Sequence, residues 1–419
     1  MKPYVLRPEQ QEIVDYCAEN RGKRIALCAP TAFGKTVVAH NIATNYPGRV
    51  AIITYANELV KQFRDDFPFP YIIGKSHYLT KRHYDDEWVK ANTSKICLFN
   101  PVSYLRYLKS GGVPFDCVLM DEADACLGLF LLTDGTTCDM LGSVDSAEVV
   151  YNSLMGDGQD FFAEKFKKYT NRFWWEVKTQ KVKGKERRVL YVRPLELSRD
   201  VHSKLDCETI VAMSGTLLPS SCKELFGTTD YVYRELPSPI PVEARRVEFF
   251  CDREYPDTIE GLKDLLSAAL EKYPERPAIV HTTYAEASVL GSISGCEYYL
   301  TKDDKIEALR SIQGTGKAML SAGATTGLSL DGDKCNLNII LRGAFANLGS
   351  DFVRRRKAIE GGNEWYTQQV LRHAIQACGR STRTPTDKSR IVISDNRLSC
   401  AIFNNLEILP KYFVESLGV

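Results

Sequence analysis

Short apolar runs rich in β-branched residues recur along this chain, each followed by a segment of helical character, and they fall into two series. The first comprises Arg24–Cys28, Val50–Thr54, Lys95–Phe99, Asp116–Met120 and Thr209–Met213. The second comprises Val247–Cys251, Pro277–His281, Lys317–Ser321, Leu337–Arg342 and Arg390–Ser394. Runs so short and so uniformly apolar have no face to offer water. They read as parallel strands covered on both sides by helices. Two series therefore predict two α/β domains in tandem, each a parallel sheet flanked by helices. A chain of 419 residues agrees, at about 150 residues per domain. The proline-rich ELPSPIPVE, Glu235 to Glu243, reads as an extended linker at the seam.

Between Ala125 and Asp206 the alternation breaks down. A Gly/Asp/Thr-rich segment is followed by an aromatic and basic one, FFAEKFKKYTNRFWWEVKTQKVKGKERRVLYVRP. A connection of about 80 residues is too long for a plain loop and is expected to be an insertion. Within it, KTQKVKGKERRV has the pattern of a hairpin turning at Gly184. The expected division is 1–124 with 207–235 as the first domain, 125–206 as the insertion and 236–419 as the second domain.

Charge and composition exclude several classes. Lys plus Arg is 54 against Asp plus Glu at 53, a net charge of +1. Such a chain has no global attraction for polyanions, so any nucleic-acid contact must come from a local basic groove. No apolar run approaches the roughly 20 residues needed to cross a bilayer. The opening MKPYVLRPEQQEIVDY lacks the apolar core of a signal peptide, so a cytoplasmic protein without membrane contact is expected. The 13 cysteines are scattered without a CxxC pair, which argues against both a disulfide framework and a zinc site. They read as small buried hydrophobes in a reducing compartment.

The strongest local motif is Ala29-Pro30-Thr31-Ala32-Phe33-Gly34-Lys35-Thr36, directly after the Arg24–Cys28 run and before a helical stretch. Strand, tight loop and helix N-terminus together make a nest of backbone N–H groups that binds polyphosphate. Pro30, Thr31, Ala32, Phe33 and Gly34 would cradle the phosphates, Lys35 would reach the β/γ-phosphates, and Thr36 would ligate magnesium. Ala29 replaces the first glycine of this pattern, and Ala32 stands where a second glycine is common. The next motif, Asp116-Cys117-Val118-Leu119-Met120-Asp121-Glu122-Ala123-Asp124, is an apolar strand ending in carboxylates, expected on the strand neighbouring the P-loop. Ligands bind at the carboxyl ends of such strands. Asp121 would hold magnesium through water, and Glu122 would orient and deprotonate an attacking water.

With Asp-Glu-Ala-Asp downstream of a P-loop, the sequence resembles superfamily 2 helicases and translocases, which have two RecA-like domains and use ATP and magnesium. Other segments resemble that family's motifs in order. Leu6-Arg7-Pro8-Glu9-Gln10 is similar to the adenine-reading segment, with Arg7 and Gln10 at the nucleotide. Ile53-Thr54-Tyr55-Ala56-Asn57 resembles a strand-end motif that touches the nucleic-acid backbone, which the resemblance assigns to Thr54, Tyr55 and Asn57. Met213-Ser214-Gly215-Thr216-Leu217 resembles the motif that couples the two sites through Ser214 and Thr216. Gln376-Ala377-Cys378-Gly379-Arg380-Ser381-Thr382-Arg383 resembles the arginine-finger motif, which implies catalytic roles for Gln376, Arg380 and Arg383 beside Lys35 and Glu122. Arg380 and Arg383 lie three apart and would share one helix face. Presented from the second domain, they would stabilise charge on ATP when the cleft closes.

Within the superfamily, SGTLLP, RGAFANLGSDFVRRRK and the Asp395-Asn396-Arg397 that follows the last strand resemble the XPD/DinG group. That group carries an Arch domain where this chain has its insertion. The group's four-cysteine iron–sulfur domain has no counterpart, since only Cys97 and Cys117 lie between Phe63 and Asp121, and no cluster is expected. In Ser321-Ala322-Gly323-Ala324-Thr325-Thr326-Gly327-Leu328-Ser329, the resemblance gives Gly327 a coupling role and Thr325 a nucleic-acid contact. Here Ser329 replaces the usual aspartate and Thr326 the usual glutamate. Thr282 and Thr283, at a strand end of the second domain, could contact phosphate or simply cap the following helix. Arg354 and Arg355 could neutralise backbone phosphates, or form a solvated helix face. Trp174 and Trp175, amid lysines and arginines, could stack bases, or pack the insertion's core. The expectation is an ATP-dependent translocase, a monomeric DNA helicase on single-stranded DNA. An RNA helicase, a duplex translocase of the XPB/UvsW type and a non-catalytic ATP-gated binding module are the alternatives.

Overall fold

The computed structural model describes residues 5–140, 144, 146–182, 185–250, 258–293, 295–298, 316–322, 332–382, 384 and 386–419. The first sheet contains β1 (Arg24–Cys28), β2 (Val50–Thr54), β3 (Tyr71–Ile72), β4 (Ile96–Phe99), β5 (Cys117–Asp121), β9 (Thr209–Ser214) and β10 (Val232–Glu235), in the order β10-β1-β9-β5-β2-β4-β3. All its pairings are parallel. The second sheet contains β11 (Val247–Phe249), β12 (Ala278–Thr282), β13 (Cys296–Tyr298), β14 (Ala318–Ala322), β15 (Leu337–Ile340) and β16 (Arg390–Ile393). Its order is β11-β16-β15-β12-β14-β13, again parallel throughout. The protein is thus built on two parallel α/β units of the RecA-like kind.

The uniformly apolar runs have a direct physical cause. Successive strand residues point to opposite faces, and in both sheets each face is covered. Ile25, Leu27, Val50 and Ile52 enter one core, whereas Ala26, Ala51 and Ile53 enter the core on the other side. In the second sheet Ile339 and Ile340 divide in the same way.

The segment after β5 forms its own small unit. An antiparallel sheet, β6 (Thr136–Met140), β8 (Lys185–Pro194) and β7 (Phe173–Val182), packs with helices Ala147–Gly156 and Asp160–Lys168. Leu154, Phe166, Phe173 and Leu190 form its core. β7 and β8 make the expected hairpin, with Val182 opposite Lys185; Gly184 itself lies outside the described residues.

One expectation needs correcting. The acidic strand β5 is not the neighbour of the P-loop strand β1, because β9 lies between them. The register sets Cys28 beside Ser214, Met213 beside Asp121, and Asp121 beside Thr54. This non-sequential order brings the P-loop, the Ser214 segment and the acidic run to one sheet edge.

Candidate nucleotide site

The loop after β1 reaches helix Lys35–Asn45 through two left-handed residues, Ala32 at φ 66° and Gly34 at φ 84°. Glycine suits position 34 for a second reason: a Cβ there would meet Gln10 Nε2 at 2.5 Å and push it from the Phe33 carbonyl. Gln10 Nε2 donates to the Phe33 carbonyl at 2.7 Å, and Arg7 Nη2 donates to the same oxygen at 2.6 Å. The Arg7 backbone N–H in turn donates to Gln10 Oε1 at 3.0 Å. In this conformation both residues brace the phosphate loop from behind.

Lys35 Nζ lies 3.6 Å from Glu122 Oε1 and 3.4 Å from the Ala29 carbonyl. Burial pulls its pKa down, but Glu122, Asp121 and Asp124 outweigh burial and leave it raised. Glu122 caps helix Ala123–Thr133 at φ 52°, the other non-glycine residue with left-handed backbone among those described. Burial and the adjacent Glu122 push Asp121 up to about 6, against the pull of Lys35. Lys35 only partly offsets this carboxylate pair, and a divalent cation would supply further positive charge. Thr36 and Asp121 line the same cavity and are the residues that fit magnesium.

The Ser214 hydroxyl donates to Glu122 Oε2 at 3.3 Å, and the Thr216 hydroxyl donates to Asp124 Oδ2 at 2.6 Å. From the second domain, Gln376 Nε2 reaches Thr216 Oγ1 at 3.3 Å and Asp124 Oδ2 at 3.4 Å. Arg372, one helical turn earlier, donates through Nη1 to the Asp124 carbonyl at 3.1 Å. Arg380 joins Lys35, Thr36, Asp121, Glu122 and Gln376 in lining one cavity of about 360 Å³. A Cβ on Gly379 would come within 3.3 Å of Thr31 Oγ1, so the two motifs nearly touch. Arg383, Thr325, Gly327 and Ser329 lie outside the described residues.

The residues expected at nucleic acid are more dispersed and already engaged. Thr54 is buried, Tyr55 is half-buried against the core that holds Ala51 and Ile53, and Asn57 hydrogen-bonds Asn100 at 2.5 Å and His77 at 3.0 Å. Thr282 and Thr283 both donate to Glu286, and Thr283 caps helix Tyr284–Leu290. Trp174 and Trp175 do not form one stacking platform. Trp174 packs on Phe352 at 5.2 Å, while Trp175 meets Phe166 at 5.6 Å and carries the Arg355 guanidinium 4.1 Å from its ring. Arg355 also pairs with Asp351 at 2.7 Å, and Arg354 remains mostly exposed, 3.4 Å from the same carboxylate. Arg356, buried, binds Glu196 at 3.1 Å and Glu224 at 3.0 Å. Helix Asp351–Ala358 is therefore a docking face for the insertion and the first domain.

Sequence reasoning missed Asp124, Arg372 and Arg356 as junction residues. For Arg372 the signal was its spacing of four from Gln376, which puts both on one helix face. It also missed that Tyr412 and Ser416, near the C-terminus, line the same cavity as Lys35, Glu122 and Arg380.

Two parallel α/β units facing each other across a P-loop, paired carboxylates and an arginine define the fold of a two-domain nucleotide-driven motor. Residues 3–124 match the family described as type III restriction enzyme, res subunit, and residues 298–410 match the helicase C-terminal domain. No curated protein matches the sequence. Among solved structures, the chain is similar to an apo XPD (15% identity, 96% of this chain and 99% of that one covered, TM-score 0.64). It is also similar to an XPD helicase (15%, 97% and 99%, TM-score 0.65) and to S. tokodaii Xpd4 (15%, 97% and 99%, TM-score 0.63). The two family matches, one on each α/β unit, together with the fold place the chain with the superfamily 2 helicases. Its fold is like that of the XPD structures. No helix among the described residues is long and apolar enough to cross a membrane.

Proposed function

We propose that this protein is an ATP-dependent nucleic-acid translocase that works as a helicase on single-stranded DNA. The observation that carries this reading is one cavity lined by Lys35, Asp121 and Glu122 from the first domain and by Gln376 and Arg380 from the second. Lys35 binds and orients the terminal phosphates. Glu122, held by Ser214, takes the proton from the attacking water. Arg380 adds positive charge where the transition state is most negative. Magnesium, when bound through Thr36 and Asp121, neutralises charge on the phosphates. Because these groups come from both domains, the cavity is complete only when the domains are together, so turnover is coupled to their relative motion. Asp124 is the joint of this coupling, gripped by Thr216 from its own domain and by Gln376 and Arg372 from the other. The insertion, docked on helix Asp351–Ala358, fits a clamp or strand-separating element beside the motor.

ATP turnover measured alone and with single-stranded DNA, single-stranded RNA and duplex DNA tests the reading, with Lys35→Ala as the control. Strong stimulation by single-stranded DNA, lost in Lys35→Ala, is expected. Stimulation by duplex alone would move the assignment to a duplex translocase, and by RNA alone to an RNA helicase. No turnover with any of them would sink it.

A further inference from the structure

The helix Lys411–Leu417 lies outside the motifs described above, yet it closes one side of the nucleotide cavity. Tyr412 and Ser416 line that cavity together with Ile240 of the linker and Arg245. The helix is fastened on several sides. The Lys411 backbone N–H donates to Glu235 Oε2 at 2.9 Å, at the end of β10 in the first domain. Arg245, buried, donates to the Ile240 carbonyl at 3.0 Å, to Glu415 Oε2 at 2.6 Å and to the Tyr412 carbonyl.

The Tyr412 hydroxyl donates to the Gly215 carbonyl at 2.5 Å. Gly215 lies between Ser214 and Thr216, the residues whose hydroxyls touch Glu122 and Asp124. The peptide is confined from both sides: a Cβ on Gly215 would stand 3.2 Å from the Ala29 carbonyl and 3.5 Å from Tyr412 Oη. Burial, with the nearby Cys28 and Glu122, pushes the phenol well above its usual range, so it keeps its proton and acts as a donor.

We propose that Tyr412 is a positioning residue of the ATPase, holding the Gly215 peptide so that Ser214 and Thr216 stay set against Glu122 and Asp124. This role rests on the ATPase reading above. It makes the C-terminal helix a second route, besides Gln376 and Arg372, by which the second domain acts on the catalytic carboxylates. Tyr412→Phe keeps the ring that lines the cavity and removes one hydrogen bond.

The test compares wild type, Tyr412→Phe and Tyr412→Ala for kcat and KM of ATP at saturating nucleic acid, together with thermal midpoint. Tyr412→Phe is expected to lose about fivefold in kcat, equivalent to about 1 kcal/mol or one hydrogen bond. Its KM should stay within about twofold of wild type, and the midpoint should fall by no more than about 2–4 °C, the cost of one hydrogen bond in a chain of this size. Tyr412→Ala, which also removes the cavity wall, should in addition raise KM. A Tyr412→Phe enzyme with wild-type kcat, or one whose loss lies in KM or in the midpoint alone, would overturn the positioning role while leaving the ATPase reading intact. A wild-type protein inert with every nucleic acid would overturn both.

Discussion

Ala32 offers a way to test whether the phosphate loop is held in a strained form. Its φ of 66° is a conformation that costs a residue with a Cβ about 1–2 kcal/mol. The loop cannot relax toward an extended backbone without moving the Phe33 carbonyl away from Gln10 Nε2 and Arg7 Nη2, at 2.7 and 2.6 Å. Ala32→Gly relieves the steric cost but adds freedom to the unfolded chain worth about 0.5–1 kcal/mol. The relief equals or exceeds the cost, by up to about 1.5 kcal/mol, so the thermal midpoint should stay level or rise slightly while ATP affinity stays close to wild type. Ala32→Val places a branched side chain where positive φ is a true outlier, adding about 1–3 kcal/mol. If that strain falls on the phosphate-binding conformation, ATP affinity drops by about 5- to 150-fold at 1.4 kcal/mol per decade. Binding of a fluorescent ATP analogue and thermal denaturation, run on both variants, measure the two terms. Wild-type affinity and stability in Ala32→Val, or equal losses in both variants, would refute the strained-loop reasoning.

Three further outcomes follow from the site and the junction. Glu122→Gln should lower turnover by about 10²–10⁴-fold, the usual worth of a general base, while ATP binding persists in a direct binding assay; retained turnover would remove Glu122 from the chemistry. Asp121, pushed up to about 6 from 3.8, leaves the nucleotide-free native state binding more protons than the unfolded chain between those values. The contribution of Asp121 to stability should therefore fall as pH rises through that window, read as the difference in melting between wild type and Asp121→Asn across pH, and magnesium should bind more weakly below about pH 6, a dependence lost in Asp121→Asn and read by magnesium titration. Arg356→Met strands Glu224, a buried carboxylate that burial already raises against the pull of Arg356. It should cost up to about 3–5 kcal/mol in denaturant unfolding, with partial recovery in Arg356→Met/Glu224→Leu; a double variant no better than the single one would contradict the buried pair.

What could be read from the sequence was what contiguous residues determine. The central strands were legible because burial on both faces leaves no polar position, as in VAIIT at 50–54. The strand β10 was missed because an edge strand is only half covered, and VYRE at 232–235 carries the mixed composition of that place. The P-loop and the acidic run were legible because each is a single turn whose chemistry lies in adjacent residues. The order β1-β9-β5 was not, since nothing local tells residue 209 to pair between strands that precede it by some 90 and 180 positions. Cationic and aromatic residues were the most ambiguous of all. Arg354, Arg355 and Arg356 are equivalent as text, yet one is exposed, one lies on Trp175 and one is buried between Glu196 and Glu224. A guanidinium is costly to bury alone and cheap to leave in water, so its role depends on where a carboxylate or ring happens to face it. For Arg356 those partners lie more than a hundred residues upstream. The same reasoning explains Trp174 and Trp175: a strand sends neighbours to opposite faces, and the protein itself supplies a partner on each.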